Sequence, residues 1–226
     1  IRDLVVTGVQ TCARPIFIVN PFFHAFGFNG AINPCFMHGA TMLPHPVFDI
    51  ESVLERIEQD KVTVFPGPPA IFQSLINYKN LDQFDTSSLR SAVTGAASIP
   101  VETVVDMRER LGFSTVVTAY GMTETHGLVT ICAADDPPEI VASTSGKALP
   151  GLEIKLVDDN NQEVPKGSPG ELLVRGYAVM RGYLDEPEQT AETIDSEGWM
   201  RTGDICVMDA DRTSTRLNSS HNQISY

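Results

Sequence analysis

The sequence predicts an α/β fold, with a mainly parallel sheet and flanking helices followed by a smaller β subdomain. Strand-like and helix-like segments alternate three times between residues 16 and 145, and the loops that join them are short. Such alternation is typical of βαβ units, whose crossovers are right-handed. After residue 145 glycine, proline and alternating strands replace the helical signals. We therefore expect an α/β core over residues 16–145 and a β-rich subdomain of the same domain over residues 146–210.

The first predicted element is a short apolar strand at residues 17–19, which an aromatic segment at residues 20–30 follows. Four phenylalanines surround His24 in that segment, which indicates either a packed helix start or the wall of a hydrophobic pocket. A single histidine among aromatic residues is more often a satisfied core residue than a catalytic base. Residues 39–44 then read as a strand that proline ends.

The strand at residues 39–44 and the next strand are each followed by a helix. After residues 39–44, Asp49 is predicted to cap a helix that turns Val53, Leu54 and Ile57 to one face. Residues 62–65 form the next buried strand, and a proline-rich break leads into a helix. The apolar residues of this helix are Ile71, Phe72, Leu75 and Ile76.

The third pair begins with a strand at residues 89–94 and continues into the small residues Gly95-Ala96-Ala97-Ser98. Pro100 opens the helix that follows. Residues 114–118 are rich in β-branched side chains and are predicted to form a buried strand.

The second part of the chain shows mainly strands. Residues 152–157 alternate apolar and polar, residues 158–161 form a turn, and residues 170–176 form a second strand. Residues 187–194 can form a short acidic helix. Asp204 lies in a Thr-Gly-Asp sequence that is predicted to be a turn, where an aspartate commonly bonds its own backbone.

Composition and charge exclude several classes of function. The 226 residues include 16 Lys and Arg against 29 Asp and Glu, which gives a net charge of −13 and no basic cluster for nucleic acid. The four cysteines form no CxxC pair, which argues against a zinc site or a disulfide framework and favours a cytoplasmic setting. No apolar run reaches the roughly 18 to 20 residues needed to span a bilayer.

The two ends of the chain do not read like the rest. Residues 6–16 and 211–221 resemble conceptual translations of sequencing-library adaptor DNA, in two different frames. We therefore expect residues 1–15 and 211–226 to be artefacts, and they are left out of the reasoning about the fold. The alternative is that they are ordinary polar tails.

The most informative stretch of the chain is Thr118-Ala119-Tyr120-Gly121-Met122-Thr123-Glu124-Thr125, which follows the predicted strand. In an open α/β sheet ligands gather where strands end in loops. An aromatic ring can stack on a purine, a glycine allows close backbone approach, a hydroxyl can donate to phosphate, and a carboxylate can hold a hard cation. The same residues also suit a capped strand-to-helix turn, so both interpretations stay open for this stretch alone.

A second stretch of small residues follows a neighbouring strand. Gly95-Ala96-Ala97 can let a flat ligand lie against the backbone. Because both stretches follow the ends of parallel strands, we expect them at one edge of the sheet. This placement favours a nucleotide site over a simple turn.

Five ordered motifs run through nearly all of residues 17–210. They are Pro21-Phe22-Phe23-His24-Ala25-Phe26-Gly27, Gly95-Ala96-Ala97, Tyr120-Gly121-Met122-Thr123-Glu124, Gly170-Glu171-Leu172 with Gly182-Tyr183, and Trp199-Met200-Arg201-Thr202-Gly203-Asp204. Taken together, these motifs resemble the adenylate-forming enzymes, which include acyl-CoA synthetases, luciferases and peptide-synthetase adenylation domains. Within that family, the sequence is similar to actinobacterial acyl-CoA ligases, including those that act on steroid-ring breakdown acids, at Pro66-Gly67-Pro68-Pro69, Ser87-Ser88-Leu89-Arg90 and Ala92-Val93-Thr94-Gly95-Ala96-Ala97.

The resemblance implies ATP or AMP, Mg²⁺ and coenzyme A as ligands, a small carboxylic acid as substrate, and a fold that is part of the large N-terminal domain of such an enzyme. Tyr120 would stack on the adenine and Asp204 would bind the ribose hydroxyls. Thr123 would contact the α-phosphate, Glu124 would hold Mg²⁺, and His24 would lie beside the reacting carboxylate. The remaining implied nucleotide contacts are Gly95, Ala96, Ala97, Thr118, Ala119, Gly121 and Met122.

Two parts of the family pattern are missing from the sequence. The phosphate loop with its lysine is expected upstream of Phe17, and the C-terminal domain with its catalytic lysine after residue 210. We therefore expect the isolated chain to be at best a crippled acid–CoA ligase. The alternatives are an adenylation domain that loads a carrier protein or makes light, and a non-catalytic nucleotide-binding module.

Overall fold

The computed structural model describes residues 14–209 together with the backbone of residues 214–219. Residues 1–13, 211–213 and 220–226 of the two predicted artefact segments lie outside the described residues, and so does residue 210. The chain divides into two compact units. The first contains the residues up to Ala119 together with Cys132–Ser143, and the second contains Tyr120–Ile131 together with the residues from Thr144 onward.

The first unit is built on five parallel strands in the order β2-β1-β3-β4-β5. The strands are β1 (Ile16–Ile18), β2 (Met42–Pro44), β3 (Val64–Pro66), β4 (Ser91–Gly95) and β5 (Thr115–Tyr120), of which β5 ends on the first residue of the second unit. The predicted parallel sheet is therefore confirmed.

Helices flank these strands, as the sequence predicts. They are α1 (Ala25–Gly27), which continues through a π-helical turn (Phe28–Ile32) into α2 (Asn33–His38), then α3 (Ile50–Asp60), α4 (Pro69–Ile76), α5 (Val101–Glu109) and α6 (Pro138–Ser143). Asp49 is the N-cap of α3, and its side chain accepts a hydrogen bond from the Ser52 backbone N–H at 2.9 Å. Helix α3 buries Val53, Leu54 and Ile57, which is the predicted face.

A row of phenylalanine rings forms the middle of the first unit. Phe17 of β1 packs edge-on against Phe65 of β3 with 5.1 Å between ring centroids. Phe65 contacts Phe72 of α4 at 5.2 Å, and Phe72 contacts Phe113 at 5.8 Å. Edge-to-face pairs of this kind add to the stabilisation that burial provides. All four side chains are fully buried, so they hold strands and helices of this unit together.

The second unit is mainly antiparallel. Its strands are β6 (Thr130–Ile131), which pairs with β7 (Lys147–Ala148), and then β8 (Leu152–Val157), β9 (Pro169–Gly176), β10 (Met200–Met208) and β11 (Ser214–Ser219), which form one sheet in the order β11-β10-β9-β8. A short 3₁₀ helix (Thr123–Thr125) and α7 (Pro187–Thr193) complete the unit. The predicted β-rich subdomain began at residue 146, whereas this compact unit also includes residues 120–131.

The second unit has its own apolar clusters. One contains Tyr120, Leu156, Leu172 and Cys206 among others, and a smaller one joins Val157, Leu173 and Trp199. The Lys155 ammonium lies 4.1 Å from the centroid of the Trp199 ring system, and the Arg175 guanidinium lies 4.4 Å from it. Cation–π contacts of this kind hold the long side chains of β8 and β9 over the aromatic ring.

Two predictions of local structure were wrong. Strand β5 extends through Tyr120, so the predicted loop starts at Gly121 and not at Thr118. Asp204 lies inside β10 rather than in a turn. In the described part of the chain, no helix combines the length and the apolar character needed to cross a membrane.

Candidate functional site

Gly95, Ala96 and Ala97 lie where β4 ends, in the first unit. Gly95 is buried and pairs with Ala119 of β5, and a Cβ atom at Gly95 would lie 2.4 Å from the Ala119 carbonyl oxygen. Only glycine therefore allows this close approach of the two strands. Ala96 has φ 63°, in the left-handed region that non-glycine residues seldom adopt. Ala96 and Ala97 are both exposed, so their backbone is open to a ligand.

Thr118 and Ala119 are the last residues of β5 within the first unit. The Thr118 side chain is buried, and its hydroxyl donates to the Val141 carbonyl oxygen of α6 at 2.7 Å. The Thr118 hydroxyl thus ties the strand to the helix. Ala119 is half-buried and packs against Gly95 through its carbonyl oxygen.

The loop after β5, in the second unit, folds tightly on itself. A Cβ atom at Gly121 would lie 2.3 Å from the Gly127 carbonyl carbon and 2.4 Å from the Leu128 nitrogen. The Thr125 side chain is fully buried, and its hydroxyl accepts from the Met122 N–H at 3.1 Å. The Gly127 N–H also donates to the Met122 carbonyl oxygen at 2.8 Å. These contacts fix the backbone on either side of Thr123.

Thr123 and Glu124 carry the side chains that the resemblance assigns to phosphate and metal. Thr123 is exposed and lies at the start of the 3₁₀ helix. Glu124 is half-buried, and its carboxylate Oε1 accepts from the Tyr183 hydroxyl at 3.0 Å. The Glu124 backbone carbonyl accepts from the Met180 N–H at 2.8 Å. The carboxylate is therefore held in one orientation by a residue 59 positions further along the chain.

Tyr120 and Asp204 meet directly in the second unit, although 84 positions separate them in the sequence. The Tyr120 hydroxyl donates to the Asp204 Oδ2 at 2.7 Å, and both side chains are buried. Burial raises the pKa of Tyr120 well above its usual range, and the hydrogen bond to Asp204 raises it further. Tyr120 is thus a protonated donor at every ordinary pH.

A β-bulge in β10 sets the position of Asp204. Arg201 pairs with Leu173 and Ile205 pairs with Glu171, so three residues of β10 face the single residue Leu172 of β9. Gly203 has φ 71°, a conformation that glycine adopts readily. The Thr202 hydroxyl closes the bulge, since it donates to the Leu172 carbonyl oxygen at 2.8 Å and accepts from the Asp204 N–H at 3.1 Å. Bulges are often found where a strand re-aims a functional side chain.

His24 lies in the first unit, at the start of α1. Its Nδ1 accepts from the Phe26 N–H at 3.1 Å, so the ring is the N-cap of the helix. His24 is exposed, which means that the core interpretation was wrong. Phe22, Phe23 and Phe28 are exposed as well, by 45%, 90% and 49%. The helix start is thus observed, while the role of His24 beside a carboxylate stays a prediction.

The structure brings together two pairs among these residues that local sequence reasoning did not join. Tyr120 meets Asp204, and Glu124 meets Tyr183. The sequence presents Tyr183 only as part of a Gly-Tyr motif, and Thr202 only as part of a Thr-Gly-Asp motif. The neighbouring glycines were the signal in the sequence, and in the structure both Gly182 and Gly203 have positive φ.

Glu124 is the residue that could hold a magnesium ion. The described residues contain no group of three or more His, Cys, Asp or Glu side chains suited to a metal ion. Mg²⁺, however, usually binds through one or two carboxylates, waters and substrate phosphates rather than in a cage made only of protein ligands. A single, half-buried and oriented carboxylate fits that mode of binding.

Comparison with known proteins supports one family. The AMP-binding enzyme family matches residues 5–184. A 3-[(3aS,4S,7aS)-7a-methyl-1,5-dioxo-octahydro-1H-inden-4-yl]propanoyl:CoA ligase of Rhodococcus jostii (strain RHA1) is 46% identical over 192 residues, which cover 85% of this chain and 35% of that protein. The 4-coumarate–CoA ligase 1 of Solanum tuberosum is 36% identical, over 85% of this chain and 36% of that protein.

Solved structures agree with the sequence relatives. The anthranilate CoA ligase AuaEII in complex with anthranoyl-AMP superposes with a TM-score of 0.84 at 28% identity, over 92% of this chain and 40% of that chain. The O-succinylbenzoate coenzyme A synthetase of Bacillus subtilis, in complex with ATP and magnesium, gives a TM-score of 0.80 at 26% identity, over 95% and 43%. The chain spans about one third of the length of the curated relatives above. The chain belongs to the AMP-binding enzyme family.

Proposed function

We propose that this chain is the nucleotide-binding part of an ATP-dependent acid–CoA ligase. The observation that carries the proposal is the buried hydrogen bond between Tyr120 and Asp204, which joins two motifs of the family resemblance in one compact unit. The relatives support the reaction, because several bear the names of CoA ligases. Two of the similar structures are complexes with anthranoyl-AMP or with ATP and magnesium.

The proposed reaction has two steps. A carboxylate oxygen of the acid attacks the α-phosphorus of ATP, and the bond from that phosphorus to the pyrophosphate oxygen breaks. The thiol sulfur of coenzyme A then attacks the acyl carbonyl, AMP leaves, and the thiol proton is released. The first step brings two anions together, so aligned donors and positive charge must offset the charge on the phosphoryl oxygens.

Each unit carries its own candidate residues. In the first unit, the backbone of Ala96 and Ala97 beside Gly95 is open to a ligand, His24 would lie beside the acid, and Thr118 and Ala119 lie near the end of β5. In the second unit, Tyr120 would stack on the adenine and Asp204 would accept from the ribose hydroxyls. Gly121 and Met122 would line the nucleotide with their backbone. Thr123 would donate to the α-phosphate.

Glu124 would hold the magnesium ion, with Oε2 free of the Tyr183 contact and Oε1 held by it. When bound, the ion supplies positive charge beside the phosphates. What the chain itself contributes is the orientation of the carboxylate and the rigid loop that carries it.

For the acid, we propose a fused-ring propanoic acid of the kind named for the Rhodococcus jostii relative, with coenzyme A as the acceptor. We further propose a cytoplasmic setting, because Cys35, Cys132 and Cys206 are buried as thiols.

The test uses a full-length enzyme in which residues 16–209 of this chain replace the matching segment of the Rhodococcus jostii ligase. ATP–pyrophosphate exchange is measured with a panel of acids, and thioester formation with coenzyme A. Glu124→Gln should lower exchange by a factor on the order of 10² or more, because the carboxylate would no longer be charged. Glu55→Gln, at an exposed position on α3, is the matched control and should leave exchange unchanged.

Normal exchange in the Glu124→Gln enzyme would refute the metal role of Glu124. Exchange that persists while coenzyme A is not acylated would favour an adenylation domain that loads a carrier protein. A parent hybrid that folds and binds ATP but shows no exchange would favour the non-catalytic nucleotide-binding module.

A further inference from the structure

The segment between β9 and α7 makes two hydrogen bonds to Glu124. Met180 donates its backbone N–H to the Glu124 carbonyl oxygen at 2.8 Å, and Tyr183 donates its hydroxyl to the Glu124 Oε1 at 3.0 Å. One contact fixes the backbone and the other fixes the side chain. A residue held only by its backbone would leave the carboxylate free to rotate, so the second contact is the one that sets its direction.

Tyr183 is itself held in place. Its backbone N–H donates to the Thr190 hydroxyl at 2.9 Å, and that hydroxyl donates to the Glu186 carbonyl oxygen at 2.8 Å. Gly182 has φ 149°, and a Cβ atom there would lie 2.7 Å from the Thr190 Cγ2. The tyrosine is therefore locked onto the first turns of α7 before it reaches the carboxylate.

The Tyr183 hydroxyl donates to Oε1 of the Glu124 carboxylate. A hydroxyl that donates to one carboxylate oxygen leaves the other oxygen for a cation. Residues that orient a metal ligand in this way commonly strengthen metal binding without touching the metal.

We propose that Tyr183 is a positioning residue for the adenylation site, which directs the Glu124 carboxylate toward the magnesium ion that accompanies ATP. The proposal rests on the function proposed above and extends it to the Gly182-Tyr183 motif. Tyr183 acts through Glu124, so its removal should weaken metal binding only while Glu124 is present.

The first measurement tests the contact itself in the 226-residue chain. Urea unfolding is followed for the parent, Tyr183→Phe, Glu124→Ala and the double variant. The two changes should be non-additive by roughly three- to tenfold in the unfolding equilibrium constant, since each removes the same hydrogen bond. Additive effects would overturn the proposal whatever the ligand.

The second measurement uses the full-length hybrid enzyme with Mn²⁺ and ATP, and electron paramagnetic resonance counts the bound metal. Tyr183→Phe should raise the Mn²⁺ dissociation constant roughly three- to tenfold and should add nothing in the Glu124→Ala background. Tyr177→Phe is the matched control, because Tyr177 is 66% exposed in the same unit and should leave the constant unchanged.

The outcomes separate the two claims. If Glu124→Ala weakens Mn²⁺ binding and Tyr183→Phe does not, the positioning role is wrong and the proposed function stands. If Glu124→Ala binds Mn²⁺ as the parent does while the unfolding cycle keeps its coupling, the metal role of Glu124 fails and the positioning role fails with it. Failure of the parent to bind Mn²⁺ with ATP would likewise overturn both.

Discussion

Removal of the Tyr120 hydroxyl is the sharpest test of how the second unit is built. Tyr120→Phe keeps the buried ring and deletes only the donor to Asp204. A hydrogen bond to a charged group contributes about 1.5–3 kcal/mol, and the 2.7 Å length and burial of this one favour the upper part of that range. We therefore expect the free energy of unfolding of the chain to fall by about 2.5 kcal/mol.

Urea unfolding followed by the fluorescence of Trp199, the single tryptophan, measures this change. Tyr177→Phe, at an exposed position, should change the free energy of unfolding by less than about 0.5 kcal/mol. Equal effects of the two substitutions would refute the reasoning, because the contact with Asp204 would then contribute nothing.

The same bond predicts a pH dependence. The pKa of Tyr120 is raised in the folded chain, so its contribution is fully present below the unfolded-state pKa of about 10 and is lost as the pH rises above it. The parent should lose up to about 1.4 kcal/mol of stability per pH unit more than Tyr120→Phe between pH 10 and 11. Parallel curves for the two proteins would contradict this assignment.

Two further predictions concern the backbone. Gly121→Ala should lower the free energy of unfolding by more than about 2 kcal/mol, because its Cβ would lie 2.3 Å from backbone atoms of Gly127. Gly67→Ala is the control: its Cβ would meet only ordinary contacts at 3.6 Å, so the change should be neutral or slightly stabilising. Thermal unfolding compares the two variants, and equal melting temperatures would contradict the steric argument. Asp49→Ala should cost about 1 kcal/mol by removing the cap on Ser52 N–H in α3, and urea unfolding that matches the parent would show that the cap contributes nothing.

Local sequence patterns predicted most of the strands and helices. The β-branched and apolar runs predicted the parallel strands β1 to β5, and the 3.6-residue spacing of Val53, Leu54 and Ile57 predicted the buried face of α3. These features depend on neighbours in the sequence, so one chain is enough to read them.

The parts that sequence reasoning missed depend on distant residues. Strand β5 continues through Tyr120 because this residue packs in the cluster of the second unit, which the loop-like glycine at Gly121 did not reveal. The position of Asp204 depends on the pairing of β10 with β9, and the role of Tyr183 on a contact 59 residues away. The spacing of nearby residues does not encode such contacts. The sequence therefore identifies the motifs that contain Asp204 and Tyr183 but not the contacts that these residues make.

The bulge at residues 202–204 of β10 constrains the number of residues in this segment as strictly as it constrains which residues they are. Between the pairs Arg201–Leu173 and Ile205–Glu171, β10 advances four residues while β9 advances two. Both numbers are even, so side chains on either side of the bulge keep their faces. Loss of one residue would make the count odd and turn every later side chain of β10 to the opposite face. Substitutions within the segment preserve this parity, so single-residue insertions and deletions are the changes from which the strand is least able to recover.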